Sequence, residues 1–229
     1  MNIRLEKTKV GNNPYAIIDL PDEDCELWKK SASFYKGDWI KALNYYPGIW
    51  SRVTPQYFTF IESILPKIVN HFNLEGSKIE SLNSNYAIAQ TPSEELSQLQ
   101  KIPHYDGTKN NQLAIVHYLC GEEFGGTGLF SHRKTNLERI NLETEESFNQ
   151  TAKEEALQAK LNGYIDKDNE YYEYYELIAY CKAKPSRLFI YPGNVLHSAI
   201  IPSQCKLNNE IAKGRLTITS FISFDNNIT

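Results

Sequence analysis

Three side chains in this sequence could bind one metal ion. His104 and Asp106 lie two residues apart in the run Ile-Pro-His-Tyr-Asp-Gly, and His197 follows 93 residues after the first histidine. In an extended strand, residues i and i+2 point to the same face, so the first imidazole and the carboxylate would converge. Two imidazoles and one carboxylate are a ligand set for iron(II) that leaves coordination positions open. The sequence therefore predicts an iron(II) site at His104, Asp106 and His197.

A basic residue suited to binding a carboxylate follows the second histidine. Arg215 comes 18 residues after His197, in the run Gly-Arg-Leu-Thr. Its planar guanidinium can donate two parallel hydrogen bonds to a carboxylate. Thr217, two residues further along a predicted strand, would share its face and could add a hydroxyl. Lys109 and Lys213 are alternative cations, and Lys109 ranks below Arg215 because it lies in a polar loop.

Each of these residues also has an ordinary structural interpretation. Asp106 could form a turn before Gly107, and His197 could be a hydrogen-bonded core histidine. His-x-Asp alone is a weak motif, but its occurrence in order with a distal histidine and an arginine is more selective. Two further histidines compete for the metal. His117 lies within a predicted buried strand, which favours a core role, and His132 ends the next strand, where it could contact substrate or cosubstrate.

The ordered motifs resemble those of the iron(II)/2-oxoglutarate-dependent dioxygenase superfamily. The resemblance rests on His-x-Asp, on Tyr-Pro-Gly-x-x-x-His and on Arg-x-Thr in the last strand, and it covers roughly residues 84–224. The run Leu-Ala-Ile-Val-His-Tyr-Leu, followed by Phe-Gly-Gly-Thr, is similar to the prolyl-hydroxylase-like branch. One departure is the gap between His197 and Arg215, which is longer than the family usually shows. A longer hairpin loop over residues 202–214 would accommodate it.

The resemblance implies a fold and a chemistry. The fold is a double-stranded β-helix, which is a jelly-roll or cupin-like barrel. The cofactors are iron(II), 2-oxoglutarate as cosubstrate and O₂, with Arg215, Thr217 and Tyr118 binding the cosubstrate. Tyr86 and Tyr191 remain alternatives to Tyr118. A carboxylate at Asp106, rather than the Gly or Ala of related halogenases, favours hydroxylation.

The implied enzyme is a 2-oxoglutarate-dependent dioxygenase. It would hydroxylate an unactivated C–H bond of an amino acid, a small metabolite or a peptide residue, and convert 2-oxoglutarate to succinate. The alternative is a jelly-roll binding protein of the same fold without oxygenase activity. The sequence leaves the substrate and the oligomeric state open.

The predicted elements describe a mainly β domain with flanking helices. Helices are expected at residues 22–34 and from Thr54-Pro55 to Phe72, with a break at Pro66. Strands are expected at residues 15–20, 84–90, 113–120, 127–132, 187–191, 195–201 and 216–224. Residues 134–181 form an expected helical insertion, with helices at 142–161 and 170–181, that partly covers the cleft.

This pattern suits one oxygenase domain over residues 1–229. Residues 1–78 would form a helical N-terminal support, and residues 79–224 would form the barrel core. A chain of 229 residues with 41% hydrophobic residues can bury such a core without disulfides.

The net charge and the distribution of apolar residues limit the classes of partner that we expect this chain to bind. The net charge of −4 argues against a nucleic-acid surface. The N-terminus lacks an apolar secretion core, and no apolar run approaches the ~20 residues that a membrane span requires. The four cysteines are not closely spaced. We therefore expect a cytoplasmic protein with a small-molecule or peptide substrate.

Overall fold

Two antiparallel sheets make up most of the computed structural model, which describes residues 1–34, 38–42, 46–74, 76–159, 161, 163–166 and 173–225. The strands are β1 (Asn2–Lys7), β2 (Pro14–Asp19), β3 (Ile40–Lys41), β4 (Gly48–Arg52), β5 (Ile79–Ala89), β6 (Gln112–Tyr118), β7 (Gly126–His132), β8 (Tyr175–Lys182), β9 (Arg187–Pro192), β10 (His197–Ile200) and β11 (Arg215–Phe224). The larger sheet has the order β1-β2-β9-β6-β11-β5-β4-β3, and the smaller has the order β10-β7-β8.

The inner faces of the two sheets enclose a common core. Tyr118, Phe189 and Tyr191 of the larger sheet pack with Leu129 of the smaller sheet and with Val195, which precedes β10. Period-2 alternation places these side chains inside and their neighbours outside. This arrangement confirms the predicted jelly-roll fold. The six strands expected between residues 84 and 224 are all present, within a few residues of their predicted ends.

Two helices cover the outer face of the larger sheet. Helix α1 (Asp22–Phe34) begins with three acidic residues, and α2 (Pro55–Ile64) begins with proline in its first turn. Pro66 ends the helical run, which continues as two short 3₁₀ turns, so the predicted break is confirmed. Buried Trp28 and Tyr57 pack edge-to-face, with ring centroids 5.0 Å apart. These contacts form an apolar layer behind the sheet.

The N-terminal region contributes more strand than expected. The sequence predicted one strand within residues 1–78, and the residues of this region that the structure describes form four. β1 and β2 form one edge of the larger sheet, while β3 and β4 form the other. β1 alternates Ile3 and Leu5 with polar residues, but it is short and almost entirely exposed, so its strand signal is weak. β3 has only two residues, which is too short for any periodic signal.

Within residues 134–181, the part that the structure describes forms one helix and most of one strand. Helix α3 (Glu145–Gln158) lies within the predicted helix at 142–161 and packs through Phe148, Ala152 and Ala156 against the outer face of the smaller sheet. The helix predicted at 170–181 is wrong, because Tyr175–Lys182 is β8, paired with β7; residues 170–172 lie outside the described part. Tyrosine favours strands, and pairing with β7 decides the conformation.

The structure contains no helix, within its described ranges, that is long and apolar enough to cross a membrane.

Candidate metal centre

Backbone pairing brings together the two segments that carry the predicted ligands. The His104 N–H donates to the His197 carbonyl at 2.9 Å, and the His197 N–H donates back to the His104 carbonyl at 2.8 Å. In an antiparallel pair that exchanges both hydrogen bonds, the two side chains lie on the same face. The Asp106 N–H donates to the Gly193 carbonyl at 2.8 Å, which extends the pairing by two residues. All three side chains therefore share one face.

The three side chains converge at one end of the barrel. One ligand atom from each of His104, Asp106 and His197 lies within 4.8 Å of the others. The two imidazole centroids are 4.4 Å apart, and His197 Nε2 is 3.4 Å from Asp106 Oδ2. His197 is buried and Asp106 is partly buried, whereas His104 keeps an exposed face. The cluster is thus closed on the core side and accessible to solvent on the His104 side.

The protonation of His197 is set by a backbone carbonyl. His197 Nδ1 lies 2.8 Å from the Val195 carbonyl oxygen. A carbonyl can only accept, so Nδ1 carries the proton and Nε2 presents a lone pair. That lone pair points towards Asp106, whose Oδ2 is buried and has no hydrogen-bond partner among the described residues. Two acceptors facing each other need a cation or a proton between them, which fits a metal ion.

Burial also sets the charge states of the cluster. Desolvation lowers the pKa of His197 to about 4 and raises the pKa of Asp106 to about 6. Desolvation, followed by the neighbouring His197, lowers the pKa of His104, although that ring retains an exposed face. At pH 7 the cluster therefore offers two neutral imidazoles and a mainly ionised carboxylate. These are the forms that bind metals.

Arg215 is a buried cation on the inner face of the larger sheet. It is 3% exposed. Its Nε donates to the Phe124 carbonyl at 3.2 Å, and its Nη2 donates to the Gly126 carbonyl at 3.0 Å. In the part of the chain that the structure describes, no carboxylate pairs with Arg215. A buried guanidinium bound only by neutral carbonyls can still accept an anionic partner.

Hydroxyl groups surround Arg215. Thr217, on the same face of β11, has its Oγ1 3.4 Å from the Ala87 carbonyl. Tyr118 lies opposite Thr217 and donates to Thr127 Oγ1 at 2.6 Å. The Tyr191 ring is 4.8 Å from the His197 ring, and its hydroxyl is within electrostatic range of both Asp106 and Arg215. Among the candidate tyrosines, Tyr191 is thus the one within electrostatic range of both Arg215 and the candidate metal cluster formed by His104, Asp106 and His197.

A further tyrosine near Arg215 was not predicted from the sequence. The buried Tyr46 hydroxyl lies beside Thr217 and within electrostatic range of Arg215. Burial raises its pKa to about 12. Tyr46 comes from a loop before β4, in a run of Asn, Tyr, Pro and Gly. Nothing in that run distinguishes a pocket residue from a turn residue.

The remaining candidates lie elsewhere. Tyr86 packs on the outer face of the larger sheet, in the core beneath α1 and α2. His117 shares this face, where its Nδ1 is 3.3 Å from the Tyr57 hydroxyl and burial lowers its pKa to about 3. Lys109 is exposed, and Lys213 is exposed and pairs with Glu210 at 3.1 Å. None of these four residues joins the metal cluster.

His132 is directed towards helix α3. Its Nε2 lies 2.7 Å from Glu155 Oε2, and its Nδ1 lies 2.8 Å from Thr135 Oγ1. Both ring nitrogens of this buried histidine are therefore engaged by the insertion. The sequence left open a contact between His132 and substrate or cosubstrate. In the structure, the ring nitrogens of His132 contact Thr135 and Glu155 instead.

An irregular loop accounts for the long gap before Arg215. Residues 201–214 form successive turns, including hydrogen bonds from Cys205 N to the Pro202 carbonyl at 2.8 Å and from Lys213 N to the Glu210 carbonyl at 3.1 Å. Cys205 and Leu207 pack against buried residues of the barrel. Arg215 then opens β11 on the inner face, paired with Ala89 of β5. The extra residues therefore lie in the connection between β10 and β11.

Comparison with solved structures supports the fold assignment. The chain is similar to a crystal structure of a prolyl-4-hydroxylase from Pseudomonas putida, with a TM-score of 0.50 and 10% identity over 93% of this chain and 94% of that one. It is also similar to the non-heme alpha-ketoglutarate-dependent carbocyclase SnoK of nogalamycin biosynthesis, with a TM-score of 0.53 and 8% identity over 92% of this chain and 80% of that one. The epimerase SnoN of the same biosynthesis gives a TM-score of 0.51 and 11% identity over 92% and 78%.

These similarities confirm, at the level of the fold, the resemblance to iron(II)/2-oxoglutarate-dependent oxygenases. Comparison by sequence identifies a family but no function. The family model described as "Family of unknown function (DUF6445)" matches residues 1–222. No curated protein matches the chain.

Proposed function

We propose that this chain, which belongs to the DUF6445 family, is a non-haem iron(II)- and 2-oxoglutarate-dependent oxygenase. In this proposal iron(II) binds to His104, Asp106 and His197, and Arg215 binds the distal carboxylate of 2-oxoglutarate. The reaction is hydroxylation of an unactivated C–H bond, coupled to decarboxylation of 2-oxoglutarate to succinate. The substrate is an amino acid, a small metabolite or a peptide residue.

The observation that carries this proposal is the contact between two acceptors. His197 Nε2 and Asp106 Oδ2 are 3.4 Å apart, and the Val195 carbonyl leaves Nε2 without a proton. Desolvating two acceptors without a donor is costly. A divalent cation shared with His104 removes that cost. Nitrogen and carboxylate donors on one face, with a solvent-accessible opposite side, suit iron(II) of the two-histidine, one-carboxylate type.

The second supporting observation is the uncompensated charge of Arg215. A guanidinium that is 3% exposed, and that contacts only carbonyl oxygens among the described residues, is complementary to a carboxylate. The Tyr191 hydroxyl is close enough to both the arginine and Asp106 to interact with each electrostatically. A dicarboxylate with one end at the metal and the other at Arg215 would satisfy both charges. That is the shape of 2-oxoglutarate.

The chemistry divides between the cofactors and the chain. Iron(II) with 2-oxoglutarate and O₂ supplies the oxidising power needed to break an unactivated C–H bond. The chain orients the ligands, since Val195 fixes the His197 tautomer and the pairing of residues 104–106 with 193–197 fixes the shared face. Apolar neighbours, including Phe189 and Val195, keep water away from the buried side. Substrate would approach from the exposed face of His104.

Two measurements test the proposal. Iron(II) binding is measured anaerobically for the wild type and for His104→Ala, Asp106→Ala and His197→Ala. His71→Ala is the control, because His71 lies outside the cluster and contacts the Glu6 carbonyl. Each cluster variant should lose at least about tenfold in affinity, as expected for removal of a metal ligand. Undiminished binding in all three variants would rule out the assignment.

The second measurement concerns activity. Succinate formation is followed with iron(II), ascorbate and 2-oxoglutarate, with and without a library of amino acids, metabolites and peptides. The proposal expects turnover that a subset of compounds stimulates and that the cluster variants lack. Iron and 2-oxoglutarate binding without any succinate formation would favour the alternative, a binding protein of the same fold.

A further inference from the structure

A cleft of about 650 Å³ is lined partly by residues that lie close in sequence to the proposed metal ligands. Its volume falls in the range of roughly 300–1,000 Å³ that small-molecule sites occupy. Residues from four segments line it: Ser93 and Glu94, Lys101, residues between 163 and 166, and residues between 201 and 207. Neither the metal cluster nor Arg215 is part of this lining. The cleft is therefore a separate space to which the proposed function assigns no role.

The cleft is built from continuations of the two segments that carry the metal cluster. Lys101 comes three residues before His104, which places their Cα atoms at most about 11 Å apart. Ile201 comes four residues after His197, directly after β10. Along that strand, His197 and Ala199 share a face by alternation. A molecule held in the cleft can thus extend towards the metal cluster along β10.

Lys101 lines this cleft, and its ammonium group has few partners. It is 9% exposed, which is rare for lysine, and its Nζ donates to the Leu161 carbonyl at 3.1 Å. An ammonium has three donors, so one carbonyl leaves two unused. No carboxylate pairs with Lys101 among the residues whose placement is described. A nearly buried charge in this situation is complementary to an anion.

The other lining groups limit what that anion can be. Glu94 is exposed at the rim, and Asp166 accepts a hydrogen bond from the Ser203 N–H at 2.6 Å. These acidic groups disfavour a ligand with several negative charges. Ile201 is buried and contributes apolar surface. The lining suits a small organic molecule with one carboxylate and an apolar or cationic remainder.

From these contacts we infer that the cleft binds the carboxylate of a small organic substrate, with Lys101 as its anchoring cation. The cleft and Lys101 are sufficient evidence for a carboxylate-binding site. The identification of its ligand as a substrate rests on the proposed oxygenase function. Lys101 is then a specificity-determining residue, because it selects molecules with a carboxylate at a fixed distance from the metal cluster.

The cosubstrate is the competing occupant. Tyr164 and Cys205, which line the cleft, are both within electrostatic range of Arg215. 2-Oxoglutarate could therefore enter through the cleft or bind in it. Comparing variants of Lys101 and Arg215 separates the two occupants.

The test is ligand-observed NMR on the full chain with a library of small monocarboxylates, including amino acids, and their matched primary amides. Binding is measured without turnover, so the result does not depend on oxygenase activity. Some carboxylates should bind to the wild type while their amides do not. Lys101→Met should weaken this binding at least about tenfold, because it removes a charge-assisted hydrogen bond. Lys67→Met, at an exposed lysine, should leave it unchanged.

A second variant covers the case in which Lys101→Met destabilises the fold. Ser93 is an exposed residue of the cleft lining, so Ser93→Trp fills the cleft without changing the core. It should abolish carboxylate binding and leave anaerobic iron(II) binding intact. Equal binding of acids and amides, or unchanged carboxylate binding in both variants, would overturn the inference. Loss of 2-oxoglutarate binding in Lys101→Met but not in Arg215→Met would also overturn it, because the cleft would then hold the cosubstrate.

Discussion

At the scale of single residues, the chemistry depends on which groups already have partners. His197 is oriented by the Val195 carbonyl, whereas Asp106 Oδ2 and the Arg215 guanidinium lack counter-charges in the described structure. Unsatisfied buried groups are costly, so they point to ligands more directly than motif spacing can. Two residue-level predictions follow from this difference, and both rest on the proposed oxygenase function.

The first prediction concerns Arg215. Arg215→Ala should raise the Michaelis constant for 2-oxoglutarate strongly, because a desolvated charge pair loses roughly 2–5 kcal/mol when one partner is removed. Arg215→Lys should recover only part of the loss, since an ammonium cannot reproduce the guanidinium fork. Iron(II) binding should stay near the wild-type value. Steady-state kinetics and anaerobic iron titration check this, with exposed Lys213→Met as control; normal 2-oxoglutarate affinity in Arg215→Ala would place the cosubstrate cation elsewhere.

The second prediction separates two tyrosines. The Tyr118 hydroxyl already donates to Thr127 at 2.6 Å, whereas the Tyr191 hydroxyl is within electrostatic range of Asp106 and Arg215. Tyr191→Phe should therefore raise the Michaelis constant for 2-oxoglutarate about tenfold, the effect of one hydrogen bond to a charged group. Tyr118→Phe should mainly lower stability, by about 1 kcal/mol. Kinetics and thermal unfolding of both variants measure this; the reverse order of effects would return the role to Tyr118.

At the scale of elements, helix α3 is attached to the residue between two proposed ligands. The Tyr105 hydroxyl donates to Glu145 Oε1 at 2.9 Å and contacts Asn149 within hydrogen-bond distance, while its ring packs edge-on against Phe148. Further along, His132 holds Glu155. The helix thus lies on the outer face of the smaller sheet and touches the His-x-Asp segment directly. Its docking should therefore influence the metal cluster.

The third prediction tests this coupling. Tyr105→Phe should speed hydrogen exchange in residues 145–158 and weaken iron(II) binding roughly threefold to tenfold, since one hydrogen-bonded link contributes about 0.5–1.5 kcal/mol. Tyr174→Phe, in the same outer core, is the control. Exchange mass spectrometry and anaerobic titration provide the readouts. Faster exchange with unchanged iron binding would show that α3 is a structural cap with no influence on the metal cluster.

A second element-level contact joins β2 to β9. Arg187 donates to both carboxylate oxygens of Asp19, from Nε at 2.6 Å and from Nη2 at 3.0 Å. Hydrogen bonding from Arg187 lowers the pKa of Asp19 below its ordinary value of 3.8. Because the folded pKa is the lower one, the stabilisation is complete above the unfolded pKa and is lost as pH falls through the folded pKa.

The fourth prediction follows from that sign. Asp19→Asn should lower the free energy of unfolding by about 1 kcal/mol at pH 7, a modest value because the pair is partly exposed. The difference from wild type should shrink as pH falls below about 4. Chemical denaturation at a series of pH values measures it. A difference that stays constant from pH 7 to pH 3 would mean that the charge of Asp19 contributes nothing.

At the scale of the whole molecule, Glu138 connects the N-terminal hairpin to the segment that carries the proposed metal ligand His197. Its carboxylate, 8% exposed, accepts hydrogen bonds from Thr8 Oγ1 at 3.0 Å, Gly11 N at 2.9 Å and Asn13 Nδ2 at 2.6 Å. Its backbone carbonyl accepts from Leu196 N at 2.8 Å, next to His197. One residue thus connects the β1–β2 hairpin to the segment that carries a proposed ligand.

The fifth prediction concerns this connection. Glu138→Ala should lower the free energy of unfolding by about 3 kcal/mol, because it leaves several buried donors without an acceptor. Glu143→Ala, at an exposed position of the same segment, should change stability by less than about 0.5 kcal/mol. Thermal and chemical unfolding measure both variants. Equal stability of the two variants would show that the hairpin is held by packing alone.

The sequence by itself determined the elements whose signal is local. Alternating or β-branched runs identified the six strands between residues 84 and 224, and cap residues identified α1 and α2. The order of His-x-Asp and the distal histidine identified three side chains whose ligand atoms the structure brings within 4.8 Å of one another. The arginine that follows them was predicted to bind the cosubstrate, which stays a prediction. These features were readable because periodicity depends on neighbouring residues and because the order of motifs along the chain needs no structure to be seen.

The tertiary structure alone decided features that depend on long-range partners. Tyr175–Lys182 became a strand because β7 pairs with it, and β3 became a strand because β4 pairs with it, although its two residues are too few for a periodic signal. The proton position on His197, the contact that Asp106 Oδ2 makes with that ring and the near-burial of Lys101 follow from neighbours brought together by folding. Each of these features depends on a backbone carbonyl or a ring whose position is decided by folding. Residue types and spacings therefore could not predict them.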